Sequence, residues 1–440
     1  MPAATNESWP TPTVDTDVVV VGGGPAGAAA AARLARRGHR ALVVESERFP
    51  RFHIGESLLP LGDAVFTELG CRDRLAAAGF VQKFGAQLVS PCGQHRVLFD
   101  FAASRYVDPP WTFQVHRAEF DALMLEHAVA CGARTVQGRA RDYTIDRDGV
   151  TLVYEDERAA PVTVRARALI DASGRTGFVA RREGVRQPDA ELRKAAIYAH
   201  FRAVRTDPGR RAGDTRIVSL PRLGWMWFIP LKDGCTSVGV VLDLDDYQQQ
   251  EKGDPAALFA HAVAGAPAAA ELLAGAERLG EFRVESGFSY RAERYHGDRW
   301  LLAGDAGSFL DPVFSTGVLM ALRSGLEAAD AASAAWLGDG RAGARALARF
   351  DARLHERYRF VRRFVTGFYD PHTRDVFFAP RPLLGMARAV TTVLAGGFDL
   401  GWLDRLRLRL FFLVGRLQAR HDLVPRIAGA EPAVAAEAAP

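Results

Sequence analysis

The sequence predicts an α/β protein: a parallel nucleotide-type sheet, a second β-rich layer and a helical C-terminal region. Three observations predict it. Residues 17–21, "DVVVV", end in four valines, the kind of unbroken β-branched run buried on both faces of a parallel sheet. Between about 80 and 290, short stretches such as "HRVLFDF", "TLVYEDE", "IYAHFRAV" and "TSVGVVLDL" carry strand-type patterning. From about Ala328 onward the pattern turns helical and rich in arginine.

The first unit reads in order. "GGGPAG" follows the valines, the alanine-rich "AAAAARLARRGH" reads as a helix ending near Gly38, and "RALVVE" (40–45) as a second buried strand. Gly22, Gly24 and Gly27 space G-x-G-x-x-G between strand and helix. The first glycine permits a tight turn, the second lets backbone approach a pyrophosphate at the helix N-terminus, and the third lets helix and strand pack closely. Glu45 ends the second strand about 20 residues on, where a carboxylate accepts a ribose hydroxyl. The unit is therefore Rossmann-like. "RAEFDALMLEHAVACGA" (117–133) has helical periodicity. "LIDASGRTG" (169–177) and "RWLLAGDAGSFLDP" (299–312) each read as a buried strand ending in a small-residue turn.

The 440 residues, 48% hydrophobic and 25% charged, suffice for two or three subdomains. Cys71, Cys92, Cys131 and Cys235 lack metal-ligand or disulfide-framework spacing, so no metal site and a reduced, cytoplasmic compartment are expected. "MPAATNESWPTPTVDT" has neither a basic nor an apolar region of a signal peptide, and no apolar run of about 18 residues occurs. Loose tails are expected at 1–14 and 428–440. Only Lys83, Lys194, Lys232 and Lys252 are lysines among 56 basic residues. Lys83 has apolar flanks in "GFVQKFGAQLV", whereas the other three sit in polar, surface-like contexts.

"GWMWFIP" (224–230) sets two of the seven tryptophans one residue apart. On a strand, Trp225, Trp227 and Ile229 share one face, Met226 and Phe228 the other. The stretch resembles W-x-W-x-I-P, a mark of the flavin-dependent halogenases. "FPRFHIGESLLP" (49–60), "FVQKFGAQ" (80–87), "TFQVHRAEFDALMLEHA" (112–128) and "GDAGSFLDPVFSTG" (304–317) match in order. The resemblance covers roughly residues 15–330 and implies the fold of the p-hydroxybenzoate hydroxylase group of flavoprotein monooxygenases.

By that resemblance the cofactor is FAD, used as FADH2. Its contacts would be Gly22, Gly24, Gly27, Glu45, Arg48, Ser57, Arg117, Gly304 and Asp305. The resemblance implies a flavin hydroperoxide whose distal oxygen is attacked by chloride or bromide, giving hypohalous acid. The halide would rest on the N–H groups of Thr316 and Gly317, Trp225 and Trp227 would wall the substrate off from the flavin, and Lys83 would capture the acid. A buried lysine loses its proton more easily and could form a chloramine; a protonated one could instead hydrogen-bond the acid.

Asp148-Gly149 does not fit the motif with which self-sufficient hydroxylases hold FAD and NADPH, so a separate flavin reductase is expected. Phe314 stands where similar tryptophan halogenases carry a glutamate, which points to a phenol or pyrrole that activates itself. The small aromatic substrate is expected on an acyl or peptidyl carrier protein. Arg341, Arg345, Arg349, Arg353 and Arg357 recur every four residues, a slowly drifting basic stripe suited to an acidic carrier. Nucleic acid is not expected, because aromatics do not alternate with the stripe.

The expected organisation is an FAD-binding domain from 15–79, 112–190 and 285–340, a β-rich substrate domain from 80–111 and 191–284, and a helical region over 341–427. Two other functions compete with halogenation: a two-component flavin monooxygenase without halide chemistry, and a non-catalytic flavin-binding protein.

Overall fold

Four consecutive valines leave no polar face, so the Val18–Val21 strand sits at the centre of a sheet, fully buried. The computed structural model describes residues 14–221, 224–249, 254–338, 342–379 and 385–427. The expected tails lie outside the described residues, save that Val14 pairs with Val164 in a short edge strand. Val18–Val21 is flanked in parallel by Ala41–Glu45 and Ala168–Asp171; Arg134–Ile145 and Trp300–Leu302 extend the row. Val150–Asp156 and Pro161–Ala166 add an antiparallel extension, giving eight strands. Asp148-Gly149 lies in the tight turn joining Arg134–Ile145 to Val150–Asp156, closed by Asp146 N–H on Gly149 O at 3.0 Å.

A second sheet of seven strands runs in the order Glu277–Ser286, Lys194–Arg202, Cys235–Asp243, Trp225–Pro230, Thr215–Ser219, Gly85–Val89, Arg96–Asp100. The two-residue period of "WMWFIP" works as expected. Trp225, Trp227 and Ile229 enter one apolar cluster, Met226 and Phe228 the cluster on the opposite face. Gly239 faces Trp227 in the ladder, and a Cβ there would lie 2.3 Å from the indole. The glycine is what lets the ring lie flat across the neighbouring strand.

The C-terminal part is helical from Gly317: Gly317–Ala332, Gly343–Tyr369, Pro371–Phe377, Met386–Leu394 and Trp402–Gln418. The expected arginine stripe holds only in part along Gly343–Tyr369. Each four-residue step turns about 40° beyond a full circle at 3.6 residues per turn. Arg345, Arg349 and Arg353 stay exposed, but the drift carries Arg357 inward, where both its terminal nitrogens bind Glu327 at 2.6 and 2.7 Å. Arg341 lies outside the described residues.

Replacing Gly239 by alanine should push the Trp227 indole out of its place. We expect a loss of roughly 1–3 kcal/mol in urea unfolding and a changed near-ultraviolet tryptophan signal; a parent-like midpoint would refute this account of the glycine.

Candidate active site

The glycine turn is built by contact. Gly22 has φ +99°, and a Cβ on it would come 2.4 Å from Ala172 O; one on Gly27 would come 1.8 Å from Gly22 O. Gly24 precedes the Pro25–Arg36 helix, whose first turn has no side-chain cap. Its N–H groups and the positive end of its dipole face the cavity for an anion. That cavity holds ≈ 970 Å³ and runs from Gly22 and Gly24 to Trp225 and Trp227.

The other expected cofactor residues divide. Arg117 is buried and lines the cavity; it holds Asp121 with Nε and Nη2 at 2.8 and 2.9 Å and Ile54 O with Nη1 at 2.6 Å. Asp305 also lines it, its carboxyl pushed up to about 6 by burial, against the pull of Arg117 and Arg175. Gly304 stands behind Asp305 with φ +61°, and a Cβ there would press Ala26 at 3.0 Å. Glu45 lines the cavity but already accepts the N–H groups of Gly23 at 2.6 Å and Glu47 at 2.7 Å. Its remaining lone pairs are what a ribose would meet. Arg48 lies apart from the cavity. Its side chain is 78% exposed and paired with Glu157 at 2.6 Å, and Arg51, bound to Asp121 at 2.9 Å, lines the cavity instead.

Glu56 was missed in the sequence. It is 1% exposed, lines the cavity, and takes His200 Nε2 on Oε1 at 2.6 Å; His200 is pushed up to about 10, as Cys235 and Glu56 outweigh its burial. Glu56 Oε2 has no partner among the described residues. His116 lies close enough that ligand-type atoms of Glu56, His116 and His200 fall within 4.8 Å of one another. An acid inside the apolar "HIGESLLP" with no neighbouring cation was the available signal.

Ser57 also lines the cavity, but its hydroxyl serves Lys83. Lys83 Nζ donates to Ser57 Oγ at 2.8 Å and Leu58 O at 3.2 Å, and Ser57 Oγ sits 3.1 Å from Thr215 Oγ1. Lys83 is 2% exposed with no ion-paired carboxylate among the described residues. Burial pulls its amine down to about 7, with Asp214 opposing at longer range. The amine lines a pocket of ≈ 30 Å³, room for about two waters. Thr215, Ile217, Val313 and Ser315 wall both this pocket and the large cavity. The contrast expected among the lysines is only partly met. Lys194 is buried too, paired with Asp243 at 2.6 Å and lying 3.8 Å over the Tyr369 ring; Lys232 pairs with Glu119, and Lys252 lies outside the described residues.

The indoles are pinned. Trp227 Nε1 donates to Ser237 Oγ at 3.1 Å. Trp225 Nε1 donates to Tyr369 Oη at 2.9 Å, and Tyr369 donates to Asp311 at 2.8 Å. Beyond them the Gly317–Ala332 helix starts at the expected turn. Ser315 there has φ +54°, and Ser315 and Gly317 line the cavity. The Thr316 and Gly317 amides belong to the first turn, which leaves its donors without intrahelical acceptors.

These residues fit FAD. A cradle that no Cβ could enter, a helix N-terminus for the pyrophosphate, a cavity of the right size and the orphan Glu56 oxygen converge on it. Fold and site thus define an FAD-binding oxidoreductase, and residues 15–366 match the FAD binding domain family. A 1H-pyrrole-2-carbonyl-[peptidyl-carrier protein] brominase of Pseudoalteromonas luteoviolacea is 33% identical over 72% of this chain and 76% of its own length. The corresponding chlorinase of Pseudomonas fluorescens is 33% identical over 70% and 74%. The solved structure of the flavin-dependent brominase Bmp2 superposes with a TM-score of 0.81 at 29% identity, over 92% of this chain and 100% of that one. The chain belongs to the flavin-dependent halogenases. No helix among its described residues is long and apolar enough to cross a membrane.

Two outcomes follow from this geometry. Gly27→Val should purify without flavin absorbance, and retention of FAD at parent affinity would refute the cradle. Lys83→Met should be more stable than the parent by roughly 1–4 kcal/mol below pH 7. The parent's folded state resists protonation of Lys83 between about 7 and the ordinary 10.5, so its stability rises with pH there and the gap narrows. A gap that is constant from pH 6 to 10 in thermal unfolding would contradict the depressed amine.

Proposed function

We propose that the chain turns chloride or bromide into hypohalous acid and delivers the halogen, through Lys83, to an electron-rich ring on a carrier protein. A pyrrole-2-carbonyl group on a peptidyl carrier is the substrate the first two relatives suggest. Bound as FADH2, the cofactor supplies with oxygen the oxidising equivalent for the halide. A separate reductase delivers FADH2; the Asp148-Gly149 turn is part of a hairpin, and the second G-x-G-x-x-G spacing, Gly338, Gly340 and Gly343, follows a helix rather than a buried strand.

The observation that carries this reading is Lys83, alone in a pocket walled off from the cofactor cavity yet sharing side chains with it. Ser57 and Leu58 fix Nζ by hydrogen bonds that do not require a charge. With its proton leaving near pH 7, the amine is available to take the halogen, releasing water from hypohalous acid, and its protonated form can polarise the acid. The Thr316 and Gly317 amides would hold the halide by dipoles rather than by a full counter-charge that would trap it. The indole wall would keep the ring away from the cofactor. Phe314 leaves the Lys83 pocket without a carboxylate among its lining residues, so the ring must supply its own nucleophilicity.

With an unrelated flavin reductase, NaCl or NaBr, and a pyrrole-2-carboxyl-loaded peptidyl carrier protein, mass spectrometry should find halogenated pyrrole. Lys83→Ala and Lys83→Arg should both lose at least about a hundredfold in product while FAD binding and flavin reoxidation continue. Parent yields from either variant would end the role given to Lys83. Vigorous NADPH oxidation by the chain alone would end the two-component reading.

A further inference from the structure

The Trp402–Gln418 helix turns Trp402, Leu406, Leu413 and Leu417 outward, at exposures of 73, 54, 42 and 39%. Their spacing puts them on one face of the helix. Arg405, Arg409 and Arg416 are exposed along its border. An ordered apolar row rimmed by one sign of charge marks an interaction surface. Beside it a groove of ≈ 170 Å³ opens against Gly343–Tyr369, with Arg353, Arg363, Arg405 and Arg409 at its walls and Phe364 and Phe412 among its aromatics.

The charge there is largely unanswered. Arg363, Arg409 and Arg416 make no ion pair with any described residue. Burial, with repulsion from Arg416 and Arg409, holds Arg363 below its ordinary value. The groove's acids are Glu356 and Asp399, and Asp399 is already 3.6 Å from Arg323. The groove also lies near the chemistry. Phe364 meets Phe314 edge-on with ring centroids 6.3 Å apart, and Phe314 lines the Lys83 pocket. Two rings in contact, Phe364 and Phe314, thus link the groove to the pocket that Lys83 lines.

We infer that this groove and apolar row are the docking face for an acidic carrier protein. The arginines meet the carrier's carboxylates, and Trp402 and Leu406 meet its apolar side. A second copy of this chain fits less well, because a two-fold contact through this face would oppose like charges. The inference rests on the carrier-bound reading above.

The test uses the full-length chain, FAD, reductase and the pyrrole-2-carboxyl-loaded peptidyl carrier. Arg405→Glu with Arg409→Glu, and separately Trp402→Ala with Leu406→Ser, should raise the Michaelis constant for the carrier about ten-fold. Halogenation of the free N-acetylcysteamine thioester of pyrrole-2-carboxylate should not change. The charge pair should also lose sensitivity to added salt. Parent constants for the carrier in both double variants would overturn the inference and leave the carrier reading standing. A parent that halogenates the free thioester but never the loaded carrier would remove the carrier reading, and the docking face with it. If the variants abolish dimerisation in sedimentation or binding to phosphatidylserine vesicles while the carrier constant stays put, the face belongs to that other occupant and the inference is wrong.

Discussion

The site depends on how closely the Pro25–Arg36 helix is approached from two sides. On one side Gly27 lies against the Gly22 turn, where a Cβ would come 1.8 Å from a carbonyl oxygen. On the other, Gly325 lets the Gly317–Ala332 helix lie on Ala26, where a Cβ would come 2.2 Å from its oxygen. The alanines of the first helix, Ala28 to Ala32, are fully buried, so nothing bulky holds the layers apart. Arg33 clamps the pair through Asp330 at 2.8 and 3.1 Å. This contact fixes the start of one helix relative to the other. The pyrophosphate-type turn and the Thr316-Gly317 turn therefore open on the same cavity.

Lys83 is the second constraint, and it works against stability. A carboxylate in contact would keep the amine protonated and lower the cost of burying it. The structure instead gives it a hydroxyl and a carbonyl. The nearest acid that acts on it, Asp214, is engaged by Arg211 at 3.1 Å and by the Phe84 N–H at 3.0 Å. Ser57 in turn is braced through Thr215, which accepts from Gln114 Nε2 at 2.8 Å. An amine that loses its proton near neutral pH is obtained by withholding an ion pair, at a cost in stability.

Much of this was legible in the sequence because its cause is local. Glycine spacing and four valines specify the strand-turn-helix; a two-residue period specifies which faces Trp225 and Met226 take. What was not legible depends on partners far along the chain. Nothing near Arg48 or Arg51 says which meets Asp121, 70 residues from Arg51, and which meets Glu157, 109 from Arg48. Lys194 looks like a surface lysine in "ELRKAA", yet Asp243 and Tyr369 enclose it. The contact between buried Glu56 and half-buried His200 spans 144 residues. The four-residue arginine spacing specifies a drifting stripe, but how far it drifts before meeting the core is set by Glu327 on another helix.

The distribution of these parts along the chain separates chemistry from access. The family match ends at residue 366, and every residue that lines the large cavity lies within it. Tyr369, just beyond, hydrogen-bonds the indole that closes the cavity and reaches Asp311 behind the proposed halide turn. Phe368, Phe377 and Leu394, also beyond, wall the Lys83 pocket. A pocket with room for about two waters takes an aromatic ring only if these side chains shift. Gly22, Arg117 and Asp305 line the large cavity and not this pocket. The C-terminal helices thus shape the Lys83 pocket, while the large cavity is built wholly within the family match.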